Sequence, residues 1–104
     1  MTNPNHQEIY RTKINLETSK IAWKELQRFF AGGKTLMVSA DLDLVEAAFQ
    51  MSEDNAAQIR QWMTAGKLAR VPDEQACEWA ETDALVWAVV VSPWVLVQPV
   101  GQPH

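Results

Sequence analysis

Apolar residues recur at helical spacing near the start of the chain and predict two amphipathic helices there. The first is expected over about residues 6–17, where the apolar spacing is loose. The second is expected over Ile21–Ala31, with one apolar arc and basic residues opposite it, and the Gly32-Gly33 pair ends it. The N-terminal third is therefore predicted to be helical.

Three further helices are predicted by capping residues as much as by periodicity. Asp43 and Glu46 resemble a capping box at the start of a helix over about Leu44–Met51. Ser52 suits the N-cap of a fourth helix that stops at Gly66. Pro72, Asp73 and Glu74 open a fifth, whose expected packing surface consists of Ala76, Cys77, Trp79 and Ala80.

Short apolar runs predict a buried sheet. Thr35–Ser39 follows a glycine turn, and Leu68–Val71 adds a short strand. The run Leu85–Val97 is too apolar to alternate, which fits strands covered on both faces. Ser92 and Pro93 interrupt it, either as a hairpin turn with a cis bond or as a bulge, and two strands are the favoured interpretation.

These elements predict an α+β fold with about five helices packed on a small mixed sheet of three or four strands. The 104 residues suit a single domain, 1–104, with loose ends at about 1–5 and 99–104. The longest apolar run, Ala84–Val97, is shorter than the roughly 20 residues that span a bilayer. With one cysteine and a polar start, a cytoplasmic location is expected.

The net charge of −4 argues against nucleic acid as a partner, but its distribution is uneven. Residues 1–34 carry +3 and residues 35–104 carry −7. Lys20, Lys24 and Arg28 recur every four positions and would form one stripe if the second helix is continuous. The stripe is either a solvated helix face or a surface that meets an acidic protein, an RNA backbone or the acidic half of this protein, with the acidic protein favoured among these. Trp94 beside Pro93 is a candidate anchor for a partner.

Asp41 and Asp43 flank Leu42 at a strand-to-helix junction. Two carboxylates there could bind Mg²⁺ or share acid-base chemistry, which would make the protein a carboxylate-dependent enzyme. Helix capping is the favoured interpretation, because Asp43 has that structural role and no glycine-rich phosphate loop accompanies the pair. No catalytic residue is assigned.

Metal and cofactor sites are not expected. His6 and His104 lie at opposite ends of the chain, and Cys77 is the single cysteine. Neither a zinc site nor a histidine-activated nucleophile is therefore predicted. Cys77 is interpreted as a core residue.

Residues 44–66 suggest a helix-turn-helix pair as an alternative function. Two features oppose it: the expected turn between Phe49 and Asn55 is long, and Glu53 and Asp54 stand where DNA should approach. A non-enzymatic protein-interaction or regulatory module is therefore favoured over a nucleic-acid-binding module. The partner is expected to be a protein, and the apolar C-terminal strands indicate that it could be a second copy.

Four segments together resemble a bacterial family known as domain of unknown function 2288. They are Leu16-Glu17-Thr18, Trp23-x-x-Leu26-x-x-Phe29-Phe30, Asp41-Leu42-Asp43-Leu44-Val45 and the block from Trp87 to Gln98. The resemblance runs from about residue 9 to 98. It implies a bacterial protein about one domain long and brings no activity, cofactor or catalytic residue.

Overall fold

The computed structural model describes residues 6–100, with side chains from Glu8 onward. Within them the chain forms α1 (His6–Glu17), β1 (Ser19–Ala22), a 3-10 turn (Trp23–Leu26), α2 (Gln27–Ala31), β2 (Thr35–Val38), α3 (Leu44–Ser52), α4 (Ala56–Thr64), β3 (Leu68–Arg70), α5 (Asp73–Glu81), β4 (Leu85–Val91) and β5 (Trp94–Pro99). The α+β class is confirmed. The expected loose ends lie outside the described residues, except Pro99 in β5 and the adjoining Val100.

The five strands form one mixed sheet in the order β1-β4-β5-β2-β3. Neighbouring strands are antiparallel except β2 and β5, which are parallel, with Thr35 opposite Val95. β4 and β5 each have a strand on both sides, so both are internal strands of the sheet. Val91 pairs with Trp94, and the Ser92–Pro93 bond is cis, so the hairpin interpretation is correct.

Helices cover both faces of this sheet. On the side called here the α1 face, α1, α3 and α4 pack on alternate strand residues, with Leu36, Val38, Val89 and Leu96 at the centre. On the opposite side, the α5 face, the 3-10 turn, α2 and α5 pack on Val86, Ala88, Val95 and Val97. The continuous apolar pattern of the central strands thus follows from two separate cores.

The aromatic centre of the α5 face is Trp23, whose side chain is 1% exposed. Its ring centroid lies 5.6 Å from that of Phe30 and 5.0 Å from that of Trp79, in edge and tilted arrangements that suit aromatic quadrupoles. Trp23 thereby joins the 3-10 turn to α2 and α5.

The prediction of a helix over Ile21–Ala31 is wrong at its N-terminal half. Ser19–Ala22 forms an edge strand on β4, in which Ser19 pairs with Ala88 and Ala22 with Leu85. The 3-10 turn follows, and the α-helix proper is Gln27–Ala31. For these residues, pairing with the apolar strand β4 outweighs the helical periodicity. Because β1 was not predicted, the sheet has five strands instead of three or four.

The prediction of Ser52 as the N-cap of α4 is also wrong. Ser52 is the last residue of α3, and its hydroxyl donates to the Phe49 carbonyl. Asn55 caps α4 by accepting from the Gln58 amide. The connection between α3 and α4 is therefore residues 53–55.

Cys77 is exposed, so its placement in the core is wrong. Only Ala76 and Trp79 of α5 are buried. A neighbouring helix residue is turned by about 100°. Cys77 and Ala80 therefore face away from the sheet.

Candidate functional site

A cleft of about 420 Å³ opens at the carboxyl ends of the two parallel strands, β2 and β5. The edges of open sheets at which parallel strands end are common places for ligands. The cleft is lined by Asn15, Thr18, Ala40, Asp41, Leu42, Asp43, Leu44, Trp87 and Gln98. It contains both aspartates that the sequence indicated.

Gln98 holds the loop that forms one wall of this cleft. Its side-chain amide donates to the Ser39 carbonyl at 2.8 Å and to the Leu42 carbonyl at 2.7 Å. These two carbonyls belong to the β2–α3 loop, which makes no regular ladder with β5. The side-chain amide of Gln98 therefore joins this loop to β5 in place of backbone hydrogen bonds, and it fixes the positions of Asp41 and Asp43.

Asp41 is committed to two partners. Its Oδ2 accepts from Lys67 Nζ at 2.5 Å, and its Oδ1 accepts from the Ser39 hydroxyl. The hydrogen bonds from Lys67 and then Ser39 lower the pKa of Asp41 to about 2. Asp41 is therefore a permanently ionised carboxylate at neutral pH and is unsuited to donate a proton there.

Asp43 caps α3, which confirms half of the predicted capping box. Its Oδ1 accepts from the amides of Val45 at 2.9 Å and Glu46 at 3.3 Å. The reciprocal half is wrong, because the Glu46 carboxylate is bound by Arg11 and Gln50 instead. In the described part of the chain, no hydrogen bond reaches Asp43 Oδ2.

The cleft lining also includes the aromatic ring of Trp87, which has a cation over it. Lys20, Trp87 and Gln98 stand side by side on β1, β4 and β5, on the α1 face. Lys20 Nζ lies 5.2 Å from the Trp87 ring centroid, a distance at which the ring attracts a cation.

Beyond this row, the sheet is left uncovered. Leu85 lies two residues before Trp87 on the same strand face, and its side chain is 53% exposed. We call Lys20, Leu85 and Trp87, together with the cleft, the open sheet end. It combines two apolar side chains, Leu85 and Trp87, with the polar groups of the cleft.

The predicted basic stripe does not exist as one helix face. Lys20 belongs to β1, Lys24 to the 3-10 turn and Arg28 to α2. Lys20 points to the α1 face, whereas α2 packs on the α5 face. Lys24 Nζ lies 3.7 Å from Asp83 Oδ1, and the Arg28 guanidinium lies 5.3 Å from the Phe29 ring.

Trp94 follows the hairpin turn and is half-buried against the α1-face core. Lys34 Nζ lies 5.2 Å from the centroid of its ring. It lies in the strand pair that was expected to associate with a second copy. Since β4 and β5 are internal strands, an unpaired edge is not the reason for such an association. Self-association stays a prediction.

The helical pair α3 and α4 is joined by three residues, so the objection based on a long turn no longer holds. The objection based on charge remains. Glu53 and Asp54 are exposed in the connection, and Arg60 is the one basic residue of α4.

The described residues limit two other classes of site. Among the side chains that the structure describes, from Glu8 onward, no three His, Cys, Asp or Glu residues lie close enough together to hold a metal ion. Over the same range, no helix combines the length and apolar character needed to cross a membrane.

Sequence reasoning found Asp41 and Asp43 but missed Lys67, Trp87 and Gln98 as their neighbours. The missed side chains come from β4, β5 and the residue before β3, so only the strand order brings them to the cleft. Lys67 follows Gly66 at the junction between α4 and β3. That junction was the feature of the sequence that could have indicated Lys67 as a site residue.

Fold and cleft together define a small α+β domain with a solvent-open cleft at one end of its sheet. The model of the family described as protein of unknown function (DUF2288) matches residues 9–99, and the chain belongs to that family. The chain is also similar to a protein of known structure, given as the NMR solution structure of PA1075 from Pseudomonas aeruginosa. The two are 38% identical with a TM-score of 0.78, over 98% of this chain and 95% of that one. No curated protein matches the chain significantly.

Proposed function

We propose that this protein is a non-enzymatic protein-interaction module and that a partner protein covers its open sheet end. The observation that carries the proposal is Leu85, exposed beside the half-buried Trp87 on a sheet face that helices cover elsewhere. An apolar surface with an aromatic residue and a polar rim is typical of a docking site.

The chemistry of the cleft supports binding over catalysis. Asp43 is engaged by the helix that it caps, and Asp41 is bound by Lys67 and Ser39. A general acid or base works best with a pKa near the operating pH, and the pKa of Asp41 is displaced in the opposite direction. The carboxylate-dependent enzyme is therefore the weaker candidate.

The partner that fits this surface is a protein with a basic segment. The charged residues in the cleft lining are Asp41 and Asp43, and both are acidic. Complementary charge would speed the encounter with such a segment. The earlier expectation of an acidic partner depended on a continuous basic stripe, which β1 and the 3-10 turn divide. We also propose a cytoplasmic location, for which a single exposed thiol is typical.

The test compares two variants of one strand. Leu85→Asp alters the open sheet end, whereas Val90→Asp is its matched control, on the α5 face and 63% exposed. Each tagged protein is used to capture partners from a lysate of the native host, after its unfolding midpoint has been checked. We expect wild type and Val90→Asp to capture the same protein and Leu85→Asp to lose it.

Equal capture by all three proteins, or no specific capture by wild type, contradicts the proposal. Sedimentation of wild type at several concentrations distinguishes a second copy from a separate partner. A dimer that Leu85→Asp abolishes replaces the separate partner with self-association. Tight, salt-sensitive binding of wild type to mixed-sequence DNA or RNA instead favours the α3–α4 pair.

A further inference from the structure

We infer that the cleft between Asp43 and Trp87 binds the guanidinium group of an arginine side chain that the partner supplies. The inference deepens the proposed function and depends on it. It assigns a ligand class to the cleft, whereas the proposed function concerns the whole open sheet end.

The first observation is that the carboxylates in the cleft wall are acceptors. Asp43 uses Oδ1 for the amides of α3, and within residues 6–100 its Oδ2 has no hydrogen-bond partner. Asp41, also in the wall, is held ionised by Lys67 and Ser39. An ionised carboxylate only accepts hydrogen bonds, so the complementary ligand is a cationic donor.

The second observation is that Trp87 already attracts a cation. The ammonium group of Lys20 lies over its ring at 5.2 Å from the centroid. A lysine so placed on an edge strand has a flexible, exposed side chain, which an incoming cation can displace. The ring and a carboxylate with an available oxygen thus face one opening.

The third observation is the shape and size of the opening. At about 420 Å³ the cleft is at the small end of ligand sites, which range over roughly 300–1,000 Å³. A single long side chain suits it better than a large cofactor. A planar guanidinium can stack on an aromatic ring while its fork of donors meets a carboxylate, whereas the ammonium of lysine has no planar fork.

The probe is N-acetyl-arginine-N-methylamide, titrated into ¹⁵N-labelled protein. The neutral N-acetyl-norleucine-N-methylamide and the corresponding lysine compound are the comparison ligands. We expect the arginine probe to shift the indole signal of Trp87 and the amide signals of residues 43–45. We expect weaker shifts with lysine and none at these positions with norleucine, and the arginine shifts should diminish with added salt.

Three substitutions separate a binding role from a structural one. Asp43→Asn keeps an equally good N-cap while removing the charge, so the fold should persist and the arginine affinity should fall about threefold to fivefold. Asp54→Asn, at the other end of α3, is the control and should bind like wild type. Lys20→Met removes the competing cation from Trp87 and should increase the affinity, a gain that mere destabilisation would not produce.

Equal responses to the arginine and norleucine probes, or shifts confined to other parts of the protein, overturn the inference. So does unchanged binding in a folded Asp43→Asn variant. If arginine does not bind but Leu85→Asp still loses the partner, the ligand class is wrong and the interaction surface stands. If arginine binds but partner capture ignores Leu85, the error lies in the proposed function.

Discussion

Replacing Gln98 with Met tests whether one side chain holds the β2–α3 loop. Methionine has similar length and no amide, so the substitution removes the donors at 2.8 and 2.7 Å from the Ser39 and Leu42 carbonyls. A neutral hydrogen bond contributes about 0.5–1.5 kcal/mol net, which gives a loss of about 1–3 kcal/mol for the pair. The loop borders solvent, so water can replace part of this loss and values near the lower end are expected.

Urea unfolding followed by tryptophan fluorescence measures the loss. With a slope of about 1–3 kcal/mol per molar urea, a loss of about 1 kcal/mol should lower the midpoint by about 0.3–1 M. Gln61→Met on the exposed face of α4 is the control and should leave the midpoint in place. A decrease for Gln98→Met no larger than for the control would refute the view that this amide positions the cleft.

Three further predictions concern the core and the charged groups. Trp23→Ala should destabilise the fold by about 3–5 kcal/mol in chemical denaturation, since a fully buried ring between two others is removed; a loss below 1 kcal/mol would contradict this packing. Hydrogen bonds from Gln50 and then Arg11 lower the pKa of Glu46, so the stability that they contribute is present above its usual pKa of 4.5 and is lost as the pH falls. Glu46→Gln should therefore reduce the loss of unfolding free energy at acid pH. An unchanged loss would show that Glu46 does not cause it. The Asp41 carboxyl should titrate near pH 2 by ¹³C NMR and return toward 3.8 in Lys67→Met; an unmoved value would show that Lys67 is not the cause.

The helices whose apolar arcs pack on the sheet were predictable from local sequence. α1 matches its expected span, and Asp43 indicates the start of α3. The apolar run after Leu85 likewise indicates buried strands, because strands covered by helices on both faces need no polar face.

The elements that failed depend on neighbours that are distant in the chain. Ile21 and Ala22 satisfy a helical pattern equally well, and only the position of β4 decides that they form a strand. The prediction groups Cys77 with Ala76 and Trp79 on one packing surface, although its position on the helix points in a different direction from theirs.

The cleft was half predictable for the same reason. Asp41 and Asp43 are close in sequence and were recognised together, whereas Trp87 and Gln98 reach them through the pairing of β4 and β5. A single sequence contains no local signal for that pairing.

The central position of β5 has a consequence for how the chain folds as it is synthesised. β2 pairs with β5 and β1 pairs with β4. In both pairs, the second strand is synthesised long after the first. Until Val91 has left the ribosome, β1 has no strand to pair with, and until Pro99 has left it, β2 lacks its parallel partner β5. We therefore expect the sheet to close only after synthesis has passed β5, and a nascent chain stopped at Pro93 to remain open to proteases and chaperones.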